Sequence, residues 1–533
     1  MVTVSSIKRL VYLVHRWTGV AACAVMALWV VSGVVMLYVG YPKLTPAEHV
    51  QPLPVLGAAC CVPVEAALAH SRAPASVQQI TLTSIGGQPH YVLTQAPAQM
   101  ATQMHAQAQG QGALLVVDAR SGLPAARVDM AAALASARAF LPGHAAAYAG
   151  STTDDRWTHS GKLDAHRPLF KVQMDDPAAT LLYVSSATGQ VVLDAPRAQR
   201  YWNVVGAWLH WVYLFRDGSR DAFWSWLVIG LSAVGTVSAV SGALAGIWRW
   251  RFSGAYKSGS RTPYRAFQMR WHHLTGLAFG AILITWIFSG LMSMNPLGVF
   301  DPAGERPNRA AFSQGAPGVL RPALPVGAAL ALLRDQGFNA SELEWRVLGG
   351  QPYLLARSAA GSTRLVMAAG ADGPAGAAFV VRARWPDSVL AAAGARLMHA
   401  GVDSAQTLHH YDSFYYKRQA QSMYGAAERR LPVLRLDFKD PGATAVYLDL
   451  YSGDLALSAD RSQRTGRWLF QLLHSWDFPL MLRFAGAREV LLVLLSLGAL
   501  AITVTGTVIG CRRLAAHLRG RLAAGHARNP RPT

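Results

Sequence analysis

Residues 15–33, HRWTGVAACAVMALWVVSG, return almost in outline as residues 272–290, HHLTGLAFGAILITWIFSG. His15 aligns with His272, Gly19 with Gly276, Trp29 with Trp286, and Ser32-Gly33 with Ser289-Gly290, all 257 positions apart. Each copy opens an apolar run of the length a bilayer core requires, about 20 residues of helix. Internal repetition of this kind decides the architecture before any local pattern is considered.

Matches continue outward. Gly86-Gly-Gln-Pro89 pairs with Gly349-Gly-Gln-Pro352, Asp176-Pro177 with Asp440-Pro441, Tyr183 with Tyr447, Arg197 with Arg461, and Leu209-His210 with Leu473-His474, at offsets of 263 or 264. The chain therefore reads as two tandem repeats, each a span, an outer domain and a second span. Spans fall at about 12–39, 224–248, 273–294 and 489–511. The outer stretches 40–223 and 295–488 read as α+β. Val64–His70 and Val326–Leu333 pattern as short helices. Val77–Ile85 with Tyr91–Thr94, and Glu344–Leu348 with Tyr353–Arg357, alternate around Gly-Gly turns as hairpins do. Leu114–Asp118 and Ala445–Leu450 read as strands ending in tight turns. Ala96–Gly112, rich in Ala, Gln and Gly, reads as a flexible loop.

Composition agrees. Of 533 residues 52% are hydrophobic and only 15% charged, against about 25% in ordinary soluble domains; mean hydropathy is +0.21. The net charge of +20 raises nucleic-acid binding, but the position of the charge argues against it. Arg249 to Arg270 carries six Lys/Arg and no acid, and so does Cys511 to Thr533 with six Arg. Both follow apolar runs, the positive-inside pattern of cytoplasmic loops. With Lys8 and Arg9 ahead of the first span, the loop 249–272, the tail 512–533 and both termini are expected inside a bacterial inner membrane, and the outer domains in the periplasm. The first span reads as an uncleaved anchor; a signal peptide is the other reading.

Four cysteines are present, Cys23, Cys60, Cys61 and Cys511. The adjacency of Cys60 and Cys61 disfavours a normal bridge between them, and no CxxC or CxxCH motif occurs. HExxH, GxSxG, P-loop and GxGxxG motifs are also missing, so hydrolase chemistry and a built-in dinucleotide site are unsupported. Asp176 and Asp440, each before Pro, read as turn residues.

Among seventeen histidines, His49, His70, His90, His105 and His144 read as loop or surface residues, and His517 and His526 lie in the basic tail. His15 and His272 stand at the inner ends of spans one and three; His210 and His474 precede spans two and four. Ionisable residues at such positions are costly and usually functional, and imidazole suits iron. Equivalent residues of two repeats face each other across a pseudo-two-fold axis. His15 with His272, and His210 with His474, would then each hold a haem iron. Helix capping or interfacial anchoring is the bland alternative, and His273 competes with His272. Gly19, Gly33, Gly276 and Gly290 would let a flat macrocycle or a neighbouring helix come close. Trp29 and Trp286 read as core packing or as lining between the two levels. Trp202–Phe215, apolar but too short to span, reads as interfacial or re-entrant.

These motifs resemble the PepSY-associated transmembrane family of iron-regulated membrane proteins. The likeness rests on His-x-x-x-Gly at 15–19 and 272–276 and on Ser-Gly closing spans one and three. It extends to Tyr411-Asp-Ser-Phe-Tyr-Tyr416, Leu431-Pro-Val-Leu434, Tyr447-Leu-Asp-Leu-Tyr-Ser-Gly453, Arg467-Trp-Leu469 and Leu473-His-Ser-Trp-Asp-Phe-Pro479. It covers nearly the whole chain, the second half more typically. Asp155-Arg-Trp157 stands where the second half has Asp412-Ser-Phe-Tyr-Tyr416, and His210-Trp-Val-Tyr213 replaces His474-Ser-Trp-Asp477.

The resemblance implies PepSY-like outer domains and two b-type haems with His15, His210, His272 and His474 as ligands. It further implies transfer of electrons to a ferric siderophore or other ferric chelate in the periplasm. Arg467 and Trp468 are candidates to meet haem propionates, with an interfacial anchor as the alternative. The donor would be a quinol or a separate flavoprotein. Two other functions compete: a non-catalytic protein binding peptides or regulating proteases, and a transporter of iron, haem or siderophore.

Overall fold

The computed structural model describes residues 4–71, 77–95, 113–216, 221–315, 325–369, 378–423, 425 and 427–527. The loop expected at Ala96–Gly112, with His105, lies outside them. The chain divides into two compact units: Met1–Gly40, Trp202–Asp301 and Ser462–Thr533 form one, and Tyr41–Tyr201 with Pro302–Arg461 form the other.

The first unit is built on four helices long and apolar enough to cross a membrane: α1 (Val4–Tyr38), α2 (Ala222–Arg249), α3 (Phe267–Ser293) and α4 (Ala485–Ala527). All four are longer than the apolar runs expected at 12–39, 224–248, 273–294 and 489–511: α2 and α4 extend at both ends, α1 and α3 at their N-terminal ends only. Hydropathy marks only the apolar stretch, whereas helix continues through flanking Lys, Arg and Gln, which are good helix formers. His15 therefore lies eleven residues inside α1, and His272 lies in the second turn of α3 and not in a loop ending at 272. The helices form a ring in which α1 packs on α2 and α4, and α3 packs on the same two. Ala22, Met26, Trp29, Leu283, Ile287, Ala499 and Ile502 fill its centre.

Trp202–Phe215 and Ser462–Phe484, expected within the outer domains, group with the helices instead. Each carries a five-residue π-helix, Val204–Trp208 and Trp468–Leu472, a rare geometry that collects at functional sites.

The second unit holds fifteen strands among the described residues. The first half supplies β1 (Val77–Ile85), β2 (Gln88–Gln95), β3 (Ala113–Asp118), β4 (Ala146–Thr152), β5 (Leu169–Met174), β6 (Leu181–Ser185) and β7 (Val191–Ala195). The second supplies β8 (Glu342–Leu348), β9 (Gln351–Arg357), β10 (Thr363–Ala368), β11 (Phe379–Arg382), β12 (Val402–Leu408), β13 (Val433–Phe438), β14 (Ala445–Asp449) and β15 (Leu455–Ala459). The expected Gly-Gly hairpins are present: Gly86 and Gly87, like Gly349 and Gly350, take positive φ, as the two-residue turn between twisted strands demands.

Separate outer domains at 40–223 and 295–488 were expected; the structure joins them. β1 pairs with β8 through Ile80–Trp345, Thr81–Glu344 and Leu82–Leu343. One antiparallel sheet results, in the order β11-β10-β9-β8-β1-β2-β3. Both short helices, Val64–Leu68 and Val326–Asp335, pack on one face of it around Ile80, Leu82, Tyr91, Leu343 and Trp345. A hairpin alone buries too little to stand, and pairing the two removes an exposed edge from each. Two four-stranded sheets, β4–β7 and β12–β15, complete the unit. Asp176 and Asp440 are turn residues as expected: each carboxylate accepts from the backbone N–H and hydroxyl of Thr180 or Thr444. Asp155 and Asp412, which differ in sequence context, do one job, each accepting from a buried tyrosine, Tyr183 at 2.9 Å and Tyr447 at 2.7 Å.

Two readings need correction here. Cys60 and Cys61 are bonded to each other, beside Ala58 and Val62 on the core shared by the two halves. The bond is between neighbours and staples no loop, so a disulfide scaffold is still unsupported. His49 is not an ordinary surface residue: its Nε2 lies 3.1 Å from the buried carboxylate of Glu342. Burial pushes that carboxyl up, but His49 and Arg357 outweigh it and hold it below the ordinary range. Glu342, Glu344, Arg346 and Arg357 belong to an ion-pair network lining a 750 Å³ cavity on the opposite face of the joint sheet.

Candidate paired-histidine site

The four histidines singled out by the repeat come together as two pairs within the helical unit. His15 on α1 and His272 on α3 stand on diagonal helices and meet across the centre of the ring, their ring centres 6.1 Å apart. His210 and His474 meet with ring centres 6.2 Å apart.

Elementary coordination geometry gives these separations a meaning. Two metal–nitrogen bonds of about 2.0 Å in line, with a ring radius of about 1.2 Å at each end, put two trans imidazole centres about 6.4 Å apart. Both observed separations lie close to that value. Two trans imidazoles also leave four equatorial positions on a metal. A porphyrin would supply four nitrogens there. The donor set therefore fits a haem.

The Nδ1 atoms settle which nitrogen faces inward. His15 Nδ1 lies 3.0 Å from the Ser238 carbonyl on α2, and His272 Nδ1 lies 3.0 Å from the Ile502 carbonyl on α4. His210 Nδ1 lies 3.0 Å from Ser32 Oγ, and His474 Nδ1 lies 3.0 Å from Ser289 Oγ. Metal-binding histidines characteristically hold their second nitrogen in this way, which fixes tautomer and ring orientation. His273 does not compete with His272. Thr262 Oγ1 at 2.7 Å and the Gly246 carbonyl at 2.9 Å engage its two ring nitrogens, so it pins the 249–266 connection to α2.

A cavity of 840 Å³ surrounds the first pair, lined by His15, His272 and a run of glycines, with Lys8, Arg9, Arg249 and Arg513 also on its wall. These cations suit anionic propionates. Gly242 and Gly506 are the close approaches: a Cβ on Gly242 would stand 2.5 Å from His15 Cε1, and one on Gly506 would stand 3.1 Å from His272 Cε1. Sequence reasoning named Gly19, Gly33, Gly276 and Gly290 and missed these two. The signal was there: Gly242-x-x-x-Gly246 and Gly506-x-x-x-Gly510 lie 264 positions apart, a small-residue spacing typical of close helix approach.

The second pair is held by the segments Trp202–Phe215 and Ser462–Phe484. Two residues after each histidine the backbone turns left-handed, at Val212 (φ 54°) and Trp476 (φ 53°). Non-glycine residues persist in this conformation only where their surroundings compel it. In the first half Trp224 Nε1 donates to the Trp211 carbonyl at 2.6 Å, and Trp29 Nε1 donates to the His210 carbonyl at 2.8 Å. In the second half Arg488 donates to the Ser475 carbonyl and to Asp477 Oδ1, both at 2.7 Å.

The remaining candidates are placed as follows. Arg467 donates to the Asp477 carbonyl at 2.7 Å, so it braces the turn after His474. Trp468 opens the π-helix and is exposed. Trp29 and Trp286 pack in the helical core. No protein-family model matches the chain, and no curated protein matches it significantly.

Proposed function

We propose that this chain is a bacterial inner-membrane electron-transfer protein that holds two b-type haems between paired histidines. It would pass single electrons to a ferric siderophore or similar ferric chelate in the periplasm. The observation that carries the reading is the recurrence of one geometry: two histidine pairs, 6.1 and 6.2 Å between ring centres, every Nδ1 held by a neighbour 3.0 Å away. The likeness to the PepSY-associated membrane family, the duplicated sequence and the basic flanks at Lys8–Arg9, 249–270 and 512–533 point the same way. By the positive-inside rule the termini and the 249–266 connection would lie in the cytoplasm.

Haem, when bound, supplies a one-electron couple whose potential its surroundings set. The residues of this chain set where the two levels lie. Ser32, which touches His210, is seventeen residues along α1 from His15, and Ser289, which touches His474, is seventeen along α3 from His272. At 1.5 Å per residue the levels are about 25 Å apart, closer than the roughly 30 Å hydrocarbon core. Buried apolar side chains such as Met26 and Leu283 keep water from the space between. A quinol or a separate flavoprotein would supply the electrons.

The absorption spectrum of the detergent-purified chain, oxidised and dithionite-reduced, with a pyridine haemochrome count, tests this. The expected result is a Soret band, a sharp reduced α-band and two haems per chain, falling to one in His474→Ala and in His15→Ala. A colourless protein from haem-replete cells overturns the proposal.

A further inference from the structure

This inference rests on the haem reading above and concerns what makes the two pairs differ. The rings of His15 and His272 lie nearly parallel, 25° between planes. Those of His210 and His474 are nearly perpendicular, at 79°. An axial imidazole is free to turn about its metal–nitrogen bond unless its other nitrogen is held, so the Nδ1 partner sets the plane.

The partners are of two kinds. His15 faces the Ser238 carbonyl; His272 faces the Ile502 carbonyl at 3.0 Å, with the Thr505 hydroxyl farther off at 3.2 Å and its own proton turned to the Ala501 and Ile502 carbonyls. A carbonyl only accepts, so the ring proton sits on Nδ1. His210 and His474 face hydroxyls, which are able to give or take. Ser32 Oγ donates its proton to the Leu28 carbonyl at 2.7 Å, and Ser289 Oγ donates to the Trp286 carbonyl at 3.0 Å. Each hydroxyl thus has only a lone pair to offer the histidine. Both rings carry the proton on Nδ1, and Nε2 is the basic nitrogen. Ser32 and Ser289 are fully buried, so water does not compete for these contacts.

We propose that Ser32 and Ser289 are positioning residues: they fix the tautomer and the rotation of His210 and His474, keep their planes crossed, and make the second haem site electronically unlike the first. The physical reason is orbital symmetry. Parallel imidazole planes act on the same one of iron's two d orbitals of π symmetry and split the pair. Crossed planes act on one orbital each and leave the two nearly equal in energy. In the low-spin ferric state, near-equality preserves orbital angular momentum and gives extreme magnetic anisotropy; splitting quenches it.

Low-temperature EPR of the oxidised, purified full chain, with its haem counted by pyridine haemochrome, reads this out. The wild-type protein should show two low-spin ferric signals of equal spin count. One is rhombic with three resolved g values; the other is strongly anisotropic with only its largest g value resolved. In the Ser32→Ala/Ser289→Ala double variant the anisotropic signal should move or vanish while the rhombic one is unchanged. Ser289→Thr, which keeps a hydroxyl, should retain the wild-type spectrum. Two rhombic signals from a wild-type protein with two haems overturn the proposal and leave the haem reading standing. An anisotropic signal unchanged in the double variant overturns the role of the serines. Absence of any haem signal overturns both readings.

Discussion

The two halves of the chain hold His210 and His474 at the same bend by different chemistry. Positions 224 and 488 lie 264 apart, as do 213 and 477. In the first half these are Trp224 and Tyr213, which meet edge to face with ring centres 5.3 Å apart. Arg216 lies over both rings, at 4.8 and 4.6 Å. In the second half they are Arg488 and Asp477, a buried ion pair at 2.7 Å. Yet Trp224 and Arg488 make the same hydrogen bond, each to the carbonyl of the residue after the histidine. What the bend demands is a donor at the start of α2 or α4 that closes the left-handed turn. Indole and guanidinium both satisfy it, so residue identity is lost there while geometry is kept.

The largest expected effect tests that equivalence. Arg488→Met strands the fully buried Asp477 carboxylate, and breaking a buried pair in this way costs about 3–5 kcal/mol. The variant should lose the His474-side haem and unfold at lower temperature. Replacing the pair with the other half's, Arg488→Trp with Asp477→Tyr, should restore much of both. A double variant no better than Arg488→Met breaks the comparison.

Glycines sharpen it next. Gly242→Ala forces a methyl against His15, where Cε1 and Nδ1 would be 2.5 and 2.8 Å away. Gly33→Ala and Gly290→Ala meet the second pair only at ordinary contact, 3.6 and 3.9 Å. Overpacking of the first kind costs about 2–3 kcal/mol. The haem count should fall to one in Gly242→Ala and stay at two in the others.

A third difference lies in the sheets. Asp194 on β7 occupies the position that Ser458 holds on β15, 264 residues on. Burial and the nearby Glu48 raise the Asp194 carboxyl to about 7, and its Oδ1 is buried without a hydrogen-bond partner. A carboxyl raised in the folded state binds more protons there than when unfolded, so stability is fully present at low pH and falls as pH rises from about 4 to about 7. Asp194→Asn should flatten that slope and be more stable at pH 8, by on the order of 1–2 kcal/mol given its partial exposure. Thermal unfolding from pH 4 to 8 measures it; an unchanged slope removes this asymmetry.

The smallest effect concerns potentials. A carbonyl draws more on the Nδ1 proton than a serine hydroxyl does, which makes the imidazole more electron-donating and favours ferric iron. The His15/His272 site should therefore titrate on the order of tens of millivolts below the His210/His474 site, an order that would run electrons from the first pair to the second. Spectroelectrochemistry of His474→Ala and His15→Ala, each with one haem left, assigns the two values. The reverse order breaks the argument.

Much of this was legible in the chain. Hydropathy marked the four helices because burial in lipid requires a long apolar run whatever the fold. Offsets of 257 and 264 picked out the four histidines, and the Gly-Gly turns gave both hairpins, because these signals live within a few residues of each other. The helices run beyond the apolar spans because helical hydrogen bonding does not stop where apolar residues do. The tertiary structure alone decided the pairing of β1 with β8, the bond between Cys60 and Cys61, and the contact of His49 with Glu342. It also decided the partners of each Nδ1, which lie 178 to 230 positions away. The amino-acid pattern fixes which residues are available to meet. Which nitrogen faces inward, and at what angle one ring crosses another, depends on atoms contributed by distant helices, and no local spacing encodes that.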